Sequence, residues 1–436
     1  MYTIQDLDIE EKIVPLFDYT ITEKGHQTLK KLFSVIPNTL EEVLQRQEIF
    51  KALHTHWDVL EDFNFKVIDC REAYEYCSNL HHQDLQKSPN LLVHILTYKT
   101  KQIEIASKRS KLIQLLLLFE HLTTKYFSRL ITSKLPIELQ QGVNLFKSLY
   151  EKSAMATFLL LLRQDKFSNK HVLLLEKRLH QYGQGDLNQA WEFLFLFEAY
   201  FSMAKGMKKL DLVFPIFDSE HFKLEDFYHP FLKEPVKNSV TLTGLDNVML
   251  LTGPNMSGKS TFFKSIALCV YLAHIGAAVP ATYCSLPYFS CITISIHAKD
   301  DLTNGYSHFM HELRTVKEVI LKSKESPTFA VFDELFKGTN PEDAKDLLLN
   351  TISGLTQFKG SFFLVSSHVI NHLDLGGPAK GGVQPFFLDC QVQEEIPTFS
   401  YQLRPGSSQL KIGRILFDQL GLNDLLQENG TNLNRL

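Results

Sequence analysis

The chain has 436 residues, a formal net charge of −4, 44% hydrophobic residues and 22% charged ones. At roughly 100–200 residues per domain this predicts two to four domains with a sizeable core, and the net charge argues against bulk non-specific nucleic-acid binding while leaving a local basic patch open. The six cysteines (Cys70, Cys77, Cys269, Cys284, Cys291 and Cys390) form no CxxC pair, and their scatter suits reduced thiols in a cytoplasmic protein better than a zinc or disulfide framework.

In chain order, Met1–Asp8 shows no basic stretch leading into an apolar run, so no leader is expected. From about Glu10 to Met207 the chain is rich in Leu, Lys, Glu and Gln and poor in Gly and Pro. Apolar residues recur there at helical spacing, as in Leu40, Val43, Leu44 and Phe50. Thr39, followed three residues later by Glu42, reads as a helix N-cap. Long helices are expected over about Leu91–Thr132 and Gln189–Lys205. The apolar windows Leu115–Phe119 and Phe193–Phe197 fall far short of the roughly 20 residues of a membrane span. Buried helix is the reading of each, and no membrane partner is expected. The abundant phenylalanines, 33 in all, read as core packing.

The texture changes near Lys209–Pro215. Strands are expected at Val248–Thr252, Cys291–Ile296, Thr328–Phe332 and Ser361–Ser366, with a hairpin from Phe386–Val392 and Thr398–Leu403. Helices are expected to begin near Lys259, Ser307, Pro341 and Ile412. Alternation of strand and helix predicts a largely parallel sheet.

The segment Gly253-Pro254-Asn255-Met256-Ser257-Gly258-Lys259-Ser260-Thr261 lies between an apolar strand run and a helical one. That context makes a P-loop of it: glycines let backbone N–H groups turn inward around phosphate, and the helix N-terminus adds favourable partial charge. Lys259 is expected to reach the β- and γ-phosphates and Ser260 to ligate Mg²⁺. Downstream, Phe329–Phe332 is an apolar strand ending in Asp333 and Glu334. An Asp-Glu pair alone could be an acidic turn; after a P-loop it reads as a metal-holding Asp333 and a general base, Glu334. His368 follows the next strand and could sense a γ-phosphate, although its position taken alone suits a surface histidine. Gly305–Glu312 places Ser307 at a helix start, where a simple N-cap and an anion contact use the same groups. HExxH, Cys/His metal spacing, GxSxG and kinase-type loops are absent, and His54, His56, His81 and His82 read as surface or core histidines.

Over about Asp211–Leu422 these residues resemble the MutS proteins, ABC-type ATPases of DNA mismatch repair. GPNMSGKST is similar to that family's GPNM-x-GKST loop, with Ser257 where Gly or Ser is usual. Asp300-Asp301-Leu302 through Glu312 resembles its DDL…G-x-S-x-F-M-x-E segment, and Asp333–Thr339 its DELGRGT. Ser367-His368 stands where the family has Thr-His, and Tyr401, Leu403, Pro405 and Gly406 resemble its C-terminal hairpin. Leu16–Gly25 through Gln47 resembles the start of the helical core, or lever.

The resemblance implies an α/β P-loop NTPase domain of ABC type at 211–425, preceded by an all-α helical core/lever domain at 1–210 and followed by a tail at 426–436. It implies ATP and Mg²⁺ as ligands, a homodimer in which Ser307 contacts the partner's γ-phosphate in trans, and DNA as a partner. The catalytic residues it implies are Glu334, Lys259 and His368, with Ser260 and Asp333 on the metal. Departures are also visible. The family's mismatch-reading and clamp domains are not expected in this chain. Val236 and Lys237, not an aromatic, precede Asn238, and Lys411-Ile412 departs from the Ser-Tyr-Gly pattern. The leading expectation is an ATP-hydrolysing, DNA-binding protein related to mismatch repair or another repair or recombination process. The alternative is a nucleotide-switched dimeric interaction protein with little or no DNA binding. Lys108, Arg109, Lys111, Lys205, Lys208 and Lys209 are the candidate DNA contacts, although a solvated helical face explains them better.

Overall fold

The computed structural model describes residues 2–80, 98–181, 184–218, 220–254, 256–296, 308–368, 381–393, 396–407, 412–423 and 425–426. The chain divides into two compact units. One comprises Val14–Val35 and Leu44–Lys208; the other comprises Met1–Ile13, Ile36–Val43 and Lys209–Leu436. This differs from the expected division at 210/211, because two short N-terminal segments go with the α/β unit. For the first the reason is a strand: Tyr2–Thr3 (β1) adds in parallel to the edge of the main sheet.

The helical unit is built from α1 (Glu23–Ser34), the body of α2 (Leu40–Thr55), α3 (Val67–Asn79), α4 (Tyr98–His121), α5 (Ile137–Lys152), α6 (Met155–Arg163), α7 (Asn169–Gln181) and α8 (Gln184–Lys209). The start of α2 is capped as its sequence predicts: Glu42 N donates to Thr39 Oγ1 at 3.2 Å, and Glu42 Oε2 accepts from Asn38 N at 2.8 Å. The expected helix over 91–132 is described from Tyr98 and ends sooner, in a wider turn over Leu122–Phe127. Its first residues lie outside the described ones, as do His81 and His82.

Phenylalanine does form the core of this unit. Phe63 lies 5.0 Å from Tyr126, 5.2 Å from Phe197 and 5.0 Å from Phe201, ring centre to ring centre. Phe119 and Phe146 stack at 4.2 Å. Helix α8 runs through the middle, burying Trp191, Leu194, Phe197, Phe201 and Ala204. A helix apolar on most sides is one surrounded by protein. His54 and His56 bond to the carbonyls of Ala204 and Ala52, at 3.0 and 2.9 Å, as structural histidines.

The α/β unit carries two sheets. The strands are β2 (Ile216–Phe217), β3 (His221–Phe227), β4 (Asn238–Thr243), β5 (Val248–Thr252), β6 (Tyr283–Leu286), β7 (Cys291–Ser295), β8 (Thr328–Phe332), β9 (Phe362–Ser367), β10 (Val383–Gln393) and β11 (Ile396–Pro405). The seven-stranded sheet has the order β1-β7-β8-β9-β5-β10-β11. It is parallel up to β10, and β10–β11 close it as an antiparallel hairpin. Strands β5, β8 and β9 are buried at every residue, as a sheet covered on both faces requires. On one face Val248, Leu250, Ala330, Phe332, Phe363 and Val365 meet α10 (His308–Glu325) and α11 (Pro341–Leu355) through Val316, Val319, Leu348 and Ile352. On the other, Phe329 and Phe362 pack against Phe222 at 5.9 and 5.6 Å. Phe222 belongs to the second sheet, of order β2-β6-β3-β4, which the sequence patterns did not reveal. Helix α9 (Lys259–His274) follows β5 directly through the P-loop.

The far end of α9 carries a pH liability. His274 is fully buried; its Nδ1 faces Val270 O at 2.7 Å and its Nε2 accepts from Phe289 N at 2.8 Å. That pattern needs the neutral ring. Burial pushes its pKa down to about 4 from 6.5, against the opposing bond to Val270. The folded form therefore binds fewer protons than the unfolded one. The contribution is intact above pH 6.5 and is lost as pH falls toward 4, by about 3 kcal/mol in total. His274→Gln should flatten the fall of the urea midpoint between pH 7 and pH 4.5, read by far-UV circular dichroism. An unchanged slope would assign acid sensitivity elsewhere.

Candidate nucleotide site

The P-loop leaves β5 inside the sheet, between β9 and β10. Gly253 (φ 142°) and Gly258 (φ 91°) adopt backbone conformations that L side chains rarely reach. A Cβ on Gly258 would lie 3.0 Å from the Tyr401 ring, so the close approach of β11 also demands glycine there. Met256 shares the left-handed region (φ 70°) and points outward, 71% exposed. Ser257 is buried, and its Oγ has no hydrogen-bond partner within the described protein. Asn255 lies outside the described residues. Pro254 and Gly253 offer their carbonyls to Lys259 Nζ, at 3.0 and 2.9 Å. Lys259 is 5% exposed. Burial pulls its pKa below the ordinary lysine value, against the opposing charges of Glu334 and Asp333.

The carboxylates stand opposite, at the end of β8. Ser260 Oγ donates to Asp333 Oδ2, and Ser366 Oγ donates to Asp333 Oδ1. Ser366 also accepts from Glu334 N at 2.8 Å, so one hydroxyl ties both acids to β9. Glu334 (φ 55°) and Phe336 (φ 65°) are non-glycine residues held in the left-handed region, a strained geometry that functional turns often retain. Lys337 Nζ donates to Glu334 Oε2 at 2.7 Å, while Lys259 Nζ and His368 Nδ1 each lie 4.0 Å from Glu334 Oε1. Burial pushes the Glu334 pKa up, but Lys337, then Lys259 and His368, pull it further down, to a net position below the ordinary carboxylate value.

A cavity of about 680 Å³ opens between these groups, lined by Gly258 through Thr261, Ser295, Ile296, Glu312, Asp333, Glu334, Lys337 and Tyr401 among others. A second, of about 360 Å³, adjoins it across Gly258, Thr261 and Tyr401 and is lined by Phe227, His229, Leu232, Val236, Asn238 and Phe262. Its aromatic walls come from Phe227, Phe262 and Tyr401, not from the position before Asn238, where Lys237 instead lies over Tyr228 at 5.6 Å. Asn238 clamps the hairpin: Nδ2 donates to Tyr401 O at 3.0 Å and Oδ1 accepts from Leu403 N at 2.7 Å.

Thus Lys259, Ser260, Asp333, Glu334 and His368 come together, while Ser307 and Lys411 lie outside the described residues. Sequence reasoning gave no site role to Ser366 or Lys337, and reached Tyr401 and Asn238 only through the family resemblance, without their contacts. Paired serines closing an apolar strand were a signal for Ser366; Asn238 had none within reach, since its partners lie more than 160 positions away. Among the described residues no group of three or more His, Cys, Asp or Glu could hold a metal, and no helix is long and apolar enough to cross a membrane. A cation here would rely on Ser260, Asp333 and phosphate, an all-oxygen set that fits Mg²⁺.

The candidate DNA contacts are mostly engaged. Lys108 lies 3.1 Å from Glu176, Lys111 3.8 Å from Glu72, and the Arg109 guanidinium 6.0 Å from the centre of the Phe167 ring. Lys205 and Lys208 lie over Tyr19 and Trp57, each at 5.5 Å.

Residues 249–422 match the family model described as MutS domain V. The chain is 35% identical over 180 residues to MutS protein homolog 4 of Mus musculus, a match covering 40% of this chain and 18% of that protein. It is 28% identical over 299 residues to the DNA mismatch repair protein MutS of Streptococcus sanguinis (strain SK36), covering 65% and 32%. With the protein of the same name from Streptococcus thermophilus (strain ATCC BAA-491 / LMD-9) the figures are 31% over 243 residues, covering 54% and 28%. The chain therefore spans less than a third of the length of these relatives. With the P-loop, the paired acids and the strand order that joins them, these matches identify residues 249–422 as similar to domain V of the MutS proteins.

Proposed function

We propose that this chain binds ATP with Mg²⁺ and hydrolyses it to ADP and phosphate. The observation that carries the reading is the hydrogen-bonded run from Ser260 through Asp333 and Ser366 to Glu334, facing Lys259 across one cavity. Lys259 would exchange the carbonyls of Gly253 and Pro254 for β- and γ-phosphate oxygens, gaining stronger, charge-assisted bonds. The N–H groups at the start of α9 would face the same oxygens. Ser260 and Asp333 would hold Mg²⁺, which when bound supplies positive charge across the phosphates. Glu334 would take a proton from the attacking water as the bond from the γ-phosphorus to the ADP oxygen breaks. His368 would help orient that water. The second cavity would take the base, against Phe262, Val236 and Tyr401.

We further propose that the site is completed in a homodimer, Ser307 reaching the partner's γ-phosphate, and that ATP turnover serves an action on DNA. The names of the relatives support the DNA reading. The ion pairs and ring contacts that occupy Lys108, Arg109, Lys111, Lys205 and Lys208 favour the alternative, a nucleotide-switched interaction protein. Binding to duplex, mismatched, branched and single-stranded DNA across a salt titration separates the two. Phosphate-based affinity should fall steeply between about 50 and 200 mM salt. No retention of any of these DNAs at the lowest salt, with or without ATP, would leave only the interaction protein.

A further inference from the structure

The segment Tyr2–Ile13 lies far from the P-loop in sequence, precedes the family match, and yet belongs to the nucleotide unit. Three contacts hold it there. Tyr2 and Thr3 pair with Ile292 and Thr293 on β7. Asp6 Oδ2 accepts the N–H of Ile296 at 2.7 Å, one residue beyond the end of β7. Asp8 Oδ2 accepts from Lys12 Nζ at 2.7 Å and from Lys264 Nζ, on the P-loop helix α9, at 3.5 Å. The segment thus grips both elements that flank the phosphate cavity.

The Asp6 contact reaches further. Ile296 N–H belongs to the same peptide plane as Ser295 C=O, and Ser295 O accepts the N–H of Asp333 at 3.0 Å. One rigid amide is therefore held at both ends, by Asp6 on its N–H and by Asp333 on its carbonyl. A peptide group is planar, so fixing its N–H fixes the direction of its C=O. A carboxylate on the N–H also polarises the amide and strengthens the bond its oxygen accepts. Ser295 and Ile296 both line the cavity.

We propose that Asp6 is a positioning residue of the nucleotide site. It sets the tilt of the Ser295–Ile296 peptide and through it the backbone of Asp333, the proposed Mg²⁺ ligand; the inference rests on the ATPase reading above. Linkage makes the effect reciprocal: whatever ligand fixes Asp333 also steadies residues 2–8.

The test uses the full chain with Asp6→Ala and with Asp6→Asn, which keeps an acceptor oxygen. Asp6→Ala should lower kcat about 10- to 100-fold with KM within about threefold, as expected when a reacting constellation is displaced without losing substrate contacts. Asp6→Asn should restore kcat to within about threefold. In nucleotide-free protein, hydrogen exchange at the Asp333 amide should accelerate in Asp6→Ala and return toward wild type in Asp6→Asn; Mg²⁺-ATP should slow exchange over residues 2–8 of the wild type. Wild-type kcat and wild-type exchange at Asp333 in Asp6→Ala would overturn the proposal, as would Asn acting no better than Ala. Failure of the ATPase reading looks different: wild-type turnover would survive Lys259→Ala. The nucleotide-free exchange result would then decide the positioning of Asp333 by itself.

Discussion

Glu334→Gln is expected to lower ATP turnover by about 10²–10⁴-fold while leaving ATP affinity within about threefold. The side chain keeps its size and its place: the backbone N–H remains on Ser366, and one carbonyl oxygen remains for Lys337. What is lost is the proton acceptor. In the wild type, burial alone would favour a protonated acid here, but Lys337, Lys259 and His368 together hold the group below its ordinary pKa. It is therefore ionised at neutral pH and able to accept the proton of an attacking water. The measurement is steady-state phosphate release beside equilibrium binding of a fluorescent ATP analogue. Turnover equal to wild type would remove Glu334 from the mechanism. Loss of binding in parallel with turnover would assign it to the ground state instead. Lys259→Ala should behave in the second way, weakening both, because its contacts are to phosphate oxygens present before the reaction.

Glu198→Ala should destabilise the helical unit by about 3 kcal/mol. Glu198 is 1% exposed on α8 and gathers the turn that precedes α1: it accepts from Ile21 N, from Thr22 N at 2.6 Å and from Thr22 Oγ1 at 2.7 Å. Thr22 in turn caps α1, its Oγ1 accepting from Gly25 N at 2.9 Å. Alanine would leave these half-buried donors without their acceptor, the costly direction of hydrogen-bond loss. The same site requires Gly25, whose added Cβ would sit 2.4 Å from the Glu198 carboxyl. Glu198→Gln, keeping an acceptor oxygen, should cost about 1 kcal/mol. Both tryptophans, Trp57 and Trp191, lie in the helical unit, so the urea transition seen by their fluorescence reports on that unit. Equal midpoints for wild type and Glu198→Ala would show that water reaches the turn and replaces the acid.

The two predictions fall on opposite sides of what could be read without a fold. Glu334 was legible because its chemistry is local: an apolar strand must end somewhere, and two acids at that end, downstream of a P-loop, have few other uses. Glu198 carries no such signal, being one charge directly after the apolar window Phe193–Phe197. Its value comes from residues more than 170 positions away, and no spacing rule carries that information. The second sheet escaped for a similar reason. Its strands β2 and β6 are short, and β6 lies between α9 and β7 in sequence while pairing back to β2 and β3.

The sequence by itself determined the parts whose physics is short-ranged. The glycines at Gly253 and Gly258, the lysine and hydroxyl that open α9, the apolar runs of β5, β8 and β9, and the Thr39–Glu42 cap all depend on neighbours a few residues apart. Only the tertiary structure decided which distant groups complete them. Parallel strands bring Asp333 and Ser366 side by side through backbone pairing, Tyr401 closes on Gly258 because Asn238 pins the hairpin, and Tyr2–Ile13 joins the nucleotide unit because β7 offers an open sheet edge and Ile296 an N–H for Asp6. Such contacts are set by hydrogen-bond satisfaction and packing between segments remote in the chain, and composition and periodicity hold no record of those pairings.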